Sequence, residues 1–187
     1  MNKIIVTSPH SLCDLKIKER NCDKVAKKAN QFMSFYLMVL GFSVDYYYSD
    51  IHRSIYDLNR KISKKTLFRE LILGNIKKNK NDIYCNFDIH SFPTKEYNSD
   101  VYFILNNPNH KINNIFNGIF NGLKKNNIKY SVFESGKDEN KLSYNDIMND
   151  FNDNNIPSLL IEFYENLSDY ELFNICQKIC DGFIGKN

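Results

Sequence analysis

The sequence predicts an α/β domain, built as a three-layer αβα arrangement around a mainly parallel mixed sheet. Short apolar runs of strand length alternate along the chain with longer stretches of helical periodicity, the pattern of a sheet covered on both faces. The 187 residues, 42% of them apolar, suit a single domain, 1–187, with one closed core. There is no internal repeat and no linker-like stretch.

In order, Lys3–Thr7 is a short apolar run and reads as a buried strand. Asp23–Leu40 carries apolar residues at 25, 29, 32, 33, 36, 37 and 40, the spacing of a helix with one buried face, and Gly41 ends it. Ser43–Tyr48 reads as a strand and Ser63–Ile76 as a helix, with Ser63 the expected N-cap. Asp82–His90 and Val101–Asn106 are strands, Asn113–Lys125 a helix despite two glycines, and Lys129–Phe133 a strand. Ser143–Phe151 is a short helix, Ser158–Tyr164 a strongly apolar strand, and Ser168–Phe183 the closing helix.

Composition removes several classes. An aromatic share of 14% argues against disorder, and 7 Gly with 4 Pro exclude a collagen-like chain. No window approaches the length of a membrane span. The apolar run Ile4–Val6 is too short for a signal peptide, so a cytoplasmic protein is expected. The net charge of +3 hides an asymmetry: residues 1–80 carry 16 Lys+Arg and 7 Asp+Glu, residues 81–187 carry 9 and 15. The lysines come as scattered pairs without interleaved aromatics, so they read as solvated faces rather than a nucleic-acid track. Five cysteines without paired CxxC spacing argue against a disulfide framework, and Cys176 and Cys180 read as small buried hydrophobes.

In a sheet of this kind ligands bind beyond the carboxyl ends of the strands, and groups capable of chemistry collect there. His10 follows the first strand; His52-Arg53 and Asp57-Leu58-Asn59-Arg60 follow the second; Asp88-Ile89-His90-Ser91 ends the third. Asp88 and His90 are two apart on a strand and share a face, and a carboxylate beside an imidazole suits a metal-ligand histidine. Asp23 stands equally well as a helix N-cap or a ligand, and Asp14, four residues after His10, competes with it. Asp57 and Asn59 also read as turn residues, and Arg53 and Arg60 as solvated ones. Glu162 is a carboxylate inside the apolar strand Leu159–Phe163, a costly place unless it is paired or functional.

The ordered set Ser8-Pro9-His10-Ser11, Cys22-Asp23, Asp57-Leu58-Asn59-Arg60, Asp88-Ile89-His90-Ser91 and Ile161-Glu162 resembles the N-formylglutamate amidohydrolase family, within the zinc carboxypeptidase-like hydrolases. Two of its segments also resemble the aspartoacylase and succinylglutamate desuccinylase branch. The resemblance implies a carboxypeptidase-like fold and one zinc per chain, held by His10, His90 and a carboxylate, Asp23 in preference to Asp14. It further implies Glu162 as general base, Arg53 as the group that polarises the scissile carbonyl, and Asn59 with Arg60 as the grip on a substrate carboxylate. Asp57 and Asp88 then orient the two ligand histidines. The implied reaction is hydrolysis of an amide in an N-acyl amino acid or short peptide with a free carboxylate. A carboxypeptidase or cell-wall amidase of the same fold, or a non-catalytic binding protein, are the alternative readings. Leu12-Cys13 stand where the family commonly has a glycine, and the chain is shorter than typical members.

Overall fold

The computed structural model describes residues 2–13, 22–49, 51–93, 98–105, 110–134 and 145–185. The expected alternation is present: β1 (Lys3–Ser8), α1 (Ala26–Val39), β2 (Ser43–Tyr48), α2 (Leu67–Asn79), β3 (Ile83–Phe92), β4 (Val101–Leu105), α3 (His110–Lys125), β5 (Tyr130–Glu134), α4 (Asp146–Asn152), β6 (Ser158–Tyr164) and α5 (Asp169–Phe183). The strands form one sheet in the order β2-β1-β3-β6-β4-β5. Four of them are parallel; β4 runs antiparallel to β6, and β5 follows β4. Among the described residues no helix is long and apolar enough to cross a membrane.

Side-chain alternation divides the sheet into two faces. Ile4 and Val6, Phe87 and Ile89, and Leu159 and Ile161 join Met33 of α1, Phe116 of α3 and Ile179 of α5 in the larger core. The opposite face packs Ile5 against Phe68 and Ile72 of α2 and Ile147 and Phe151 of α4. A register shift sets which residues of β3 face which way. Lys3 pairs with Ile83 but Ile4 with Cys85, so Tyr84 is one residue extra. Ile83 accordingly packs with the α2/α4 cluster and Cys85 with the larger core. Beyond the bulge Asp88 and His90 lie on the α2/α4 face.

Three local expectations change. The residue before α1 is Val25, which makes no side-chain cap, so Asp23 does not cap that helix. Ser63 lies in a short 3-10 helix, Lys61–Lys65, and donates to the carbonyls of Leu58 and Arg60 at 2.8 and 2.6 Å; Thr66 caps α2 instead. Cys13 and Cys22 are joined by a disulfide, although the spacing argued against one. Cys85, Cys176 and Cys180 are buried thiols. The capping box Ser168–Glu171 starts α5 as a hydroxyl-then-carboxylate pair should.

One of the two glycines in α3 has a packing reason. A Cβ on Gly118 would lie 2.2 Å from the Gly182 carbonyl oxygen of α5, so these helices touch backbone to backbone. Gly74 of α2 has open space around it. Gly118→Ala is therefore expected to cost about 2 kcal/mol by overpacking, whereas Gly74→Ala gains up to about 1 kcal/mol of helix propensity. Urea unfolding midpoints of the two variants check this.

Candidate metal centre and cleft

The site begins where β1 ends. The Ser11 hydroxyl donates to the Ser8 carbonyl at 2.9 Å and accepts the Ser49 N–H at 3.1 Å, pinning the turn that carries His10. From α1, buried Asn30 donates to the Val6 carbonyl and the Ser8 hydroxyl, which holds the strand end from behind. The Asp23 N–H then donates to the His10 carbonyl at 2.9 Å. That one bond brings the segment before α1 alongside the segment after β1. It also explains the disulfide, because the flanking Cys13 and Cys22 are left with Cα atoms 5.2 Å apart.

The two imidazoles converge on one carboxylate oxygen. His90 Nδ1 lies 2.8 Å and His10 Nδ1 3.5 Å from Asp23 Oδ2, and the ring centroids are 5.0 Å apart. The far nitrogens are held as well: His10 Nε2 donates to Asp57 at 2.8 Å and His90 Nε2 to Asp88 at 3.2 Å. Asp88 is fully buried and accepts further bonds from Thr7 Oγ1 at 2.6 Å and Asn145 Nδ2 at 2.7 Å. Asp14, the competing carboxylate, lies outside the described residues.

Burial works against ionisation of Asp23, yet the His10 and His90 imidazoles beside it outweigh burial and hold the carboxyl well below the usual range. Asp57 is likewise held low against its burial by its bond to His10. Burial opposes a charge on His90, but Asp88 and Asp23 overcome it and push the imidazole well up.

The donor set suits a cation. His10 Nδ1 is buried and has no hydrogen-bond partner, an expensive arrangement for a polar nitrogen. One ligand atom each from His10, Asp23 and His90 lies within 4.8 Å of the others. With Nε2–H on both rings, both Nδ1 lone pairs and a carboxylate face one point. Two imidazoles and a carboxylate, with the outer nitrogens oriented by carboxylates, fit zinc with an open position.

A cleft of about 350 Å³ opens on this group. Arg53 borders it, with guanidinium nitrogens 3.9 Å from Asp23 and 3.8 Å from Asp57; Arg60 borders it with Nε 3.4 Å from Asp57. Asn59, expected beside Arg60 at a substrate, is buried and lines the cleft; its amide stands 3.0 Å from His90 Nε2, and with Nε2–H on that ring its oxygen, not its nitrogen, is the group that can accept from it. Glu162 pairs in register with His90 and lines the cleft. Burial pushes its carboxyl up to about 7, with the Asp23 charge adding and the His90 charge opposing.

Several supporting residues went unnoticed in the sequence. Arg69 is fully buried, donates to the Leu58 carbonyl at 2.9 Å and pairs with Asp150. The Asp146 N–H donates to the Asn59 carbonyl at 3.3 Å. Together they clamp the 57–60 loop between α2 and α4. Asn145 caps α4 through Oδ1 while its Nδ2 holds Asp88. An Asn just before a short apolar helix was the available signal for that role.

Superposition on solved structures identifies the architecture. The gene product Atu2144 from Agrobacterium tumefaciens aligns with a TM-score of 0.70 at 11% identity, over 98% of this chain and 90% of that one. The CwlD amidase from Clostridioides difficile aligns at 0.58 and 17% identity, over the whole of both chains. The N-acetylmuramyl-L-alanine amidase Ami1 from Mycobacterium abscessus aligns at 0.58 and 10%, over 98% and 97%. The chain shares the fold of these proteins. At these identities the likeness is one of fold alone. No protein-family model and no curated protein matches the sequence.

Two outcomes follow from the geometry. A carboxyl whose pKa is raised on folding adds stability below its unfolded value of 4.5, and that stability is lost as pH rises through about 7. In metal-stripped protein, Glu162→Gln is thus expected to gain about 3 kcal/mol relative to wild type between pH 4 and pH 8, read by urea unfolding at each pH. Separately, Cys13→Ser/Cys22→Ser is expected to lose about 2–3 kcal/mol of stability, as a loop this short implies. Dithiothreitol should lower wild type equally and leave the double variant unchanged.

Proposed function

We propose that this chain is a zinc-dependent hydrolase, with one zinc per chain, that cleaves the amide of an N-acyl amino acid or short peptide bearing a free carboxylate. The observation that carries the reading is the convergence of two histidine Nδ1 atoms, one of them without a hydrogen bond, on the buried carboxylate of Asp23. His10, Asp23 and His90 would hold the metal, and Asp57 and Asp88 would fix the ring tautomers. The chemistry supplied there by zinc is Lewis-acid polarisation of a carbonyl and acidification of water.

The remaining steps belong to side chains. Glu162, raised to about 7 by burial, is poised to take a proton from water and pass it to the leaving amine. Arg53, beside Asp23, offers a donor to the carbonyl oxygen as negative charge develops there. Arg60 has the planar fork that receives a carboxylate. N-formylglutamate is one substrate of this class.

Two observations support a second reading, cleavage of a peptidoglycan amide. The fold is shared with N-acetylmuramoyl-L-alanine amidases, and a Cys13–Cys22 disulfide persists in oxidising compartments rather than in the cytoplasm expected from the sequence.

Protein purified without chelator is expected to carry about one zinc per chain by elemental analysis, and to lose it on His10→Ala or His90→Ala. Glu162→Gln should keep the metal and lose turnover by at least about 100-fold on a panel of N-formyl, N-acetyl, dipeptide and muramoyl-peptide substrates. Absence of zinc, or undiminished turnover by Glu162→Gln, would sink the assignment.

A further inference from the structure

The walls of the cleft differ in chemistry. On the site face, β3, β6 and β4 align Asp88 with Leu160 and Ile104, and His90 with Glu162 and Tyr102. From β3 to β4, each row passes from ionisable to apolar or aromatic. Leu160 and Ile104 pack together with Met148 of α4. Phe92 stacks on Tyr102 with centroids 4.1 Å apart and planes 19° from parallel. Phe92, Pro93, Ile104 and Leu160 all border the cleft on this side, while Arg53 and Arg60 border it near Asp57. His10, Asp23, His90 and Glu162 also line it.

This division orients a substrate. A carboxylate pairs with Arg60, the scissile carbonyl turns its oxygen toward Arg53, and the scissile amide lies between the His10–Asp23–His90 group and Glu162. In an N-acyl amino acid the carboxylate belongs to the amine half. What extends past the scissile carbon toward β4 is therefore the acyl half. Among the described residues, the polar side chains Asn145 and Ser91 that line the cleft are already engaged: Asn145 bonds Asp88 and the Met148 N–H, and Ser91 donates to Glu165. A sugar-bearing acyl group would set hydroxyls against carbon there. A formyl group would leave the wall uncovered.

We propose, on the hydrolase reading above, that Phe92, Pro93, Ile104 and Leu160 form an acyl subsite. The substrates are then amino acids N-acylated by an aliphatic or aromatic acid larger than formic acid. Water adds to the acyl carbon, the C–N bond breaks, and the products are the free carboxylic acid and the amino acid, whose nitrogen gains the proton. A cleft of about 350 Å³ suits a ligand of that size, near the lower end of the usual range for binding cavities.

The test varies only the acyl group, using N-formyl-, N-acetyl-, N-butanoyl- and N-benzoylglutamate with the zinc-loaded enzyme. kcat/KM is expected to rise roughly fourfold per added methylene up to butanoyl, and benzoyl should exceed formyl by at least about tenfold. Leu160→Asn and the milder Ile104→Ala should each lower the butanoyl-to-formyl ratio. Calorimetry on zinc-loaded Glu162→Gln should show butanoylglutamate binding more tightly than formylglutamate by a similar factor. Formyl equal to or better than butanoyl in both rate and binding overturns the subsite while leaving the hydrolase reading intact, as does turnover confined to muramoyl peptides. Protein that neither holds zinc nor hydrolyses any of the series overturns both.

Discussion

A negative charge buried between two imidazoles is the constraint on which the rest of this structure depends. Asp23 is 5% exposed, and an ionised carboxylate so far from water is costly unless its partners are near and well aimed. Meeting that condition fixes three separate pieces of chain. The turn after β1 presents His10, the segment before α1 is tied to it by a backbone hydrogen bond, and the end of β3 presents His90. Each histidine in turn needs its outer nitrogen satisfied, which recruits Asp57 and Asp88. The second ring of contacts reaches α4 through Asn145 and α2 through Arg69. Most of the polar groups buried on this face of the sheet thus serve one small cluster.

Charge balance around the cluster points the same way. Asp23, Asp57, Asp88 and Glu162 face two arginines, Arg53 and Arg60, which approach Asp23 and Asp57 at 3.4 to 3.9 Å. The protein meets the surplus in two ways: it raises the affinity of His90 for a proton and it resists ionisation of Glu162. Both leave room for a cation to replace protons. The basic first half and acidic second half of the sequence meet across this cleft, the arginines coming from one and Glu162 from the other.

The order of elements and the β6 strand were readable in the sequence because strand and helix periods differ sharply, and Glu162 stood out because a lone charge interrupts an apolar run. The site residues could be collected from the sequence, but only the family resemblance joined them, since His10, Asp23 and His90 meet through long-range strand pairing. Asp23 shows the limit well. As an acidic residue just ahead of a helix it is indistinguishable from a cap, and only the uncapped start at Val25 decides. The disulfide was invisible for a related reason: a nine-residue separation carries no pairing signal until the His10–Asp23 backbone bond is known. Ser63 was misread because its hydroxyl is engaged by the preceding loop, and the reason for a glycine at 118 was hidden because it lies on another helix. Phe92, Ile104 and Leu160 read as ordinary core, because apolar residues do not announce that one side of them borders a cleft.

The extra residue at Tyr84 has a consequence for how such a domain can change over evolutionary time. It sits at the opposite end of β3 from the histidine, and the ladder absorbs it: Lys3 stays opposite Ile83 and Ile4 opposite Cys85, so its loss would leave both faces as they are. A one-residue deletion just beyond Cys85 would instead exchange the two faces. Asp88 and His90 would be driven into the packing of α1, α3 and α5, and Phe87 and Ile89 would line the opening. Chemistry and core are interleaved on one strand, so a residue can be lost at its start, where the bulge takes up the difference, but not along the stretch from Cys85 to His90.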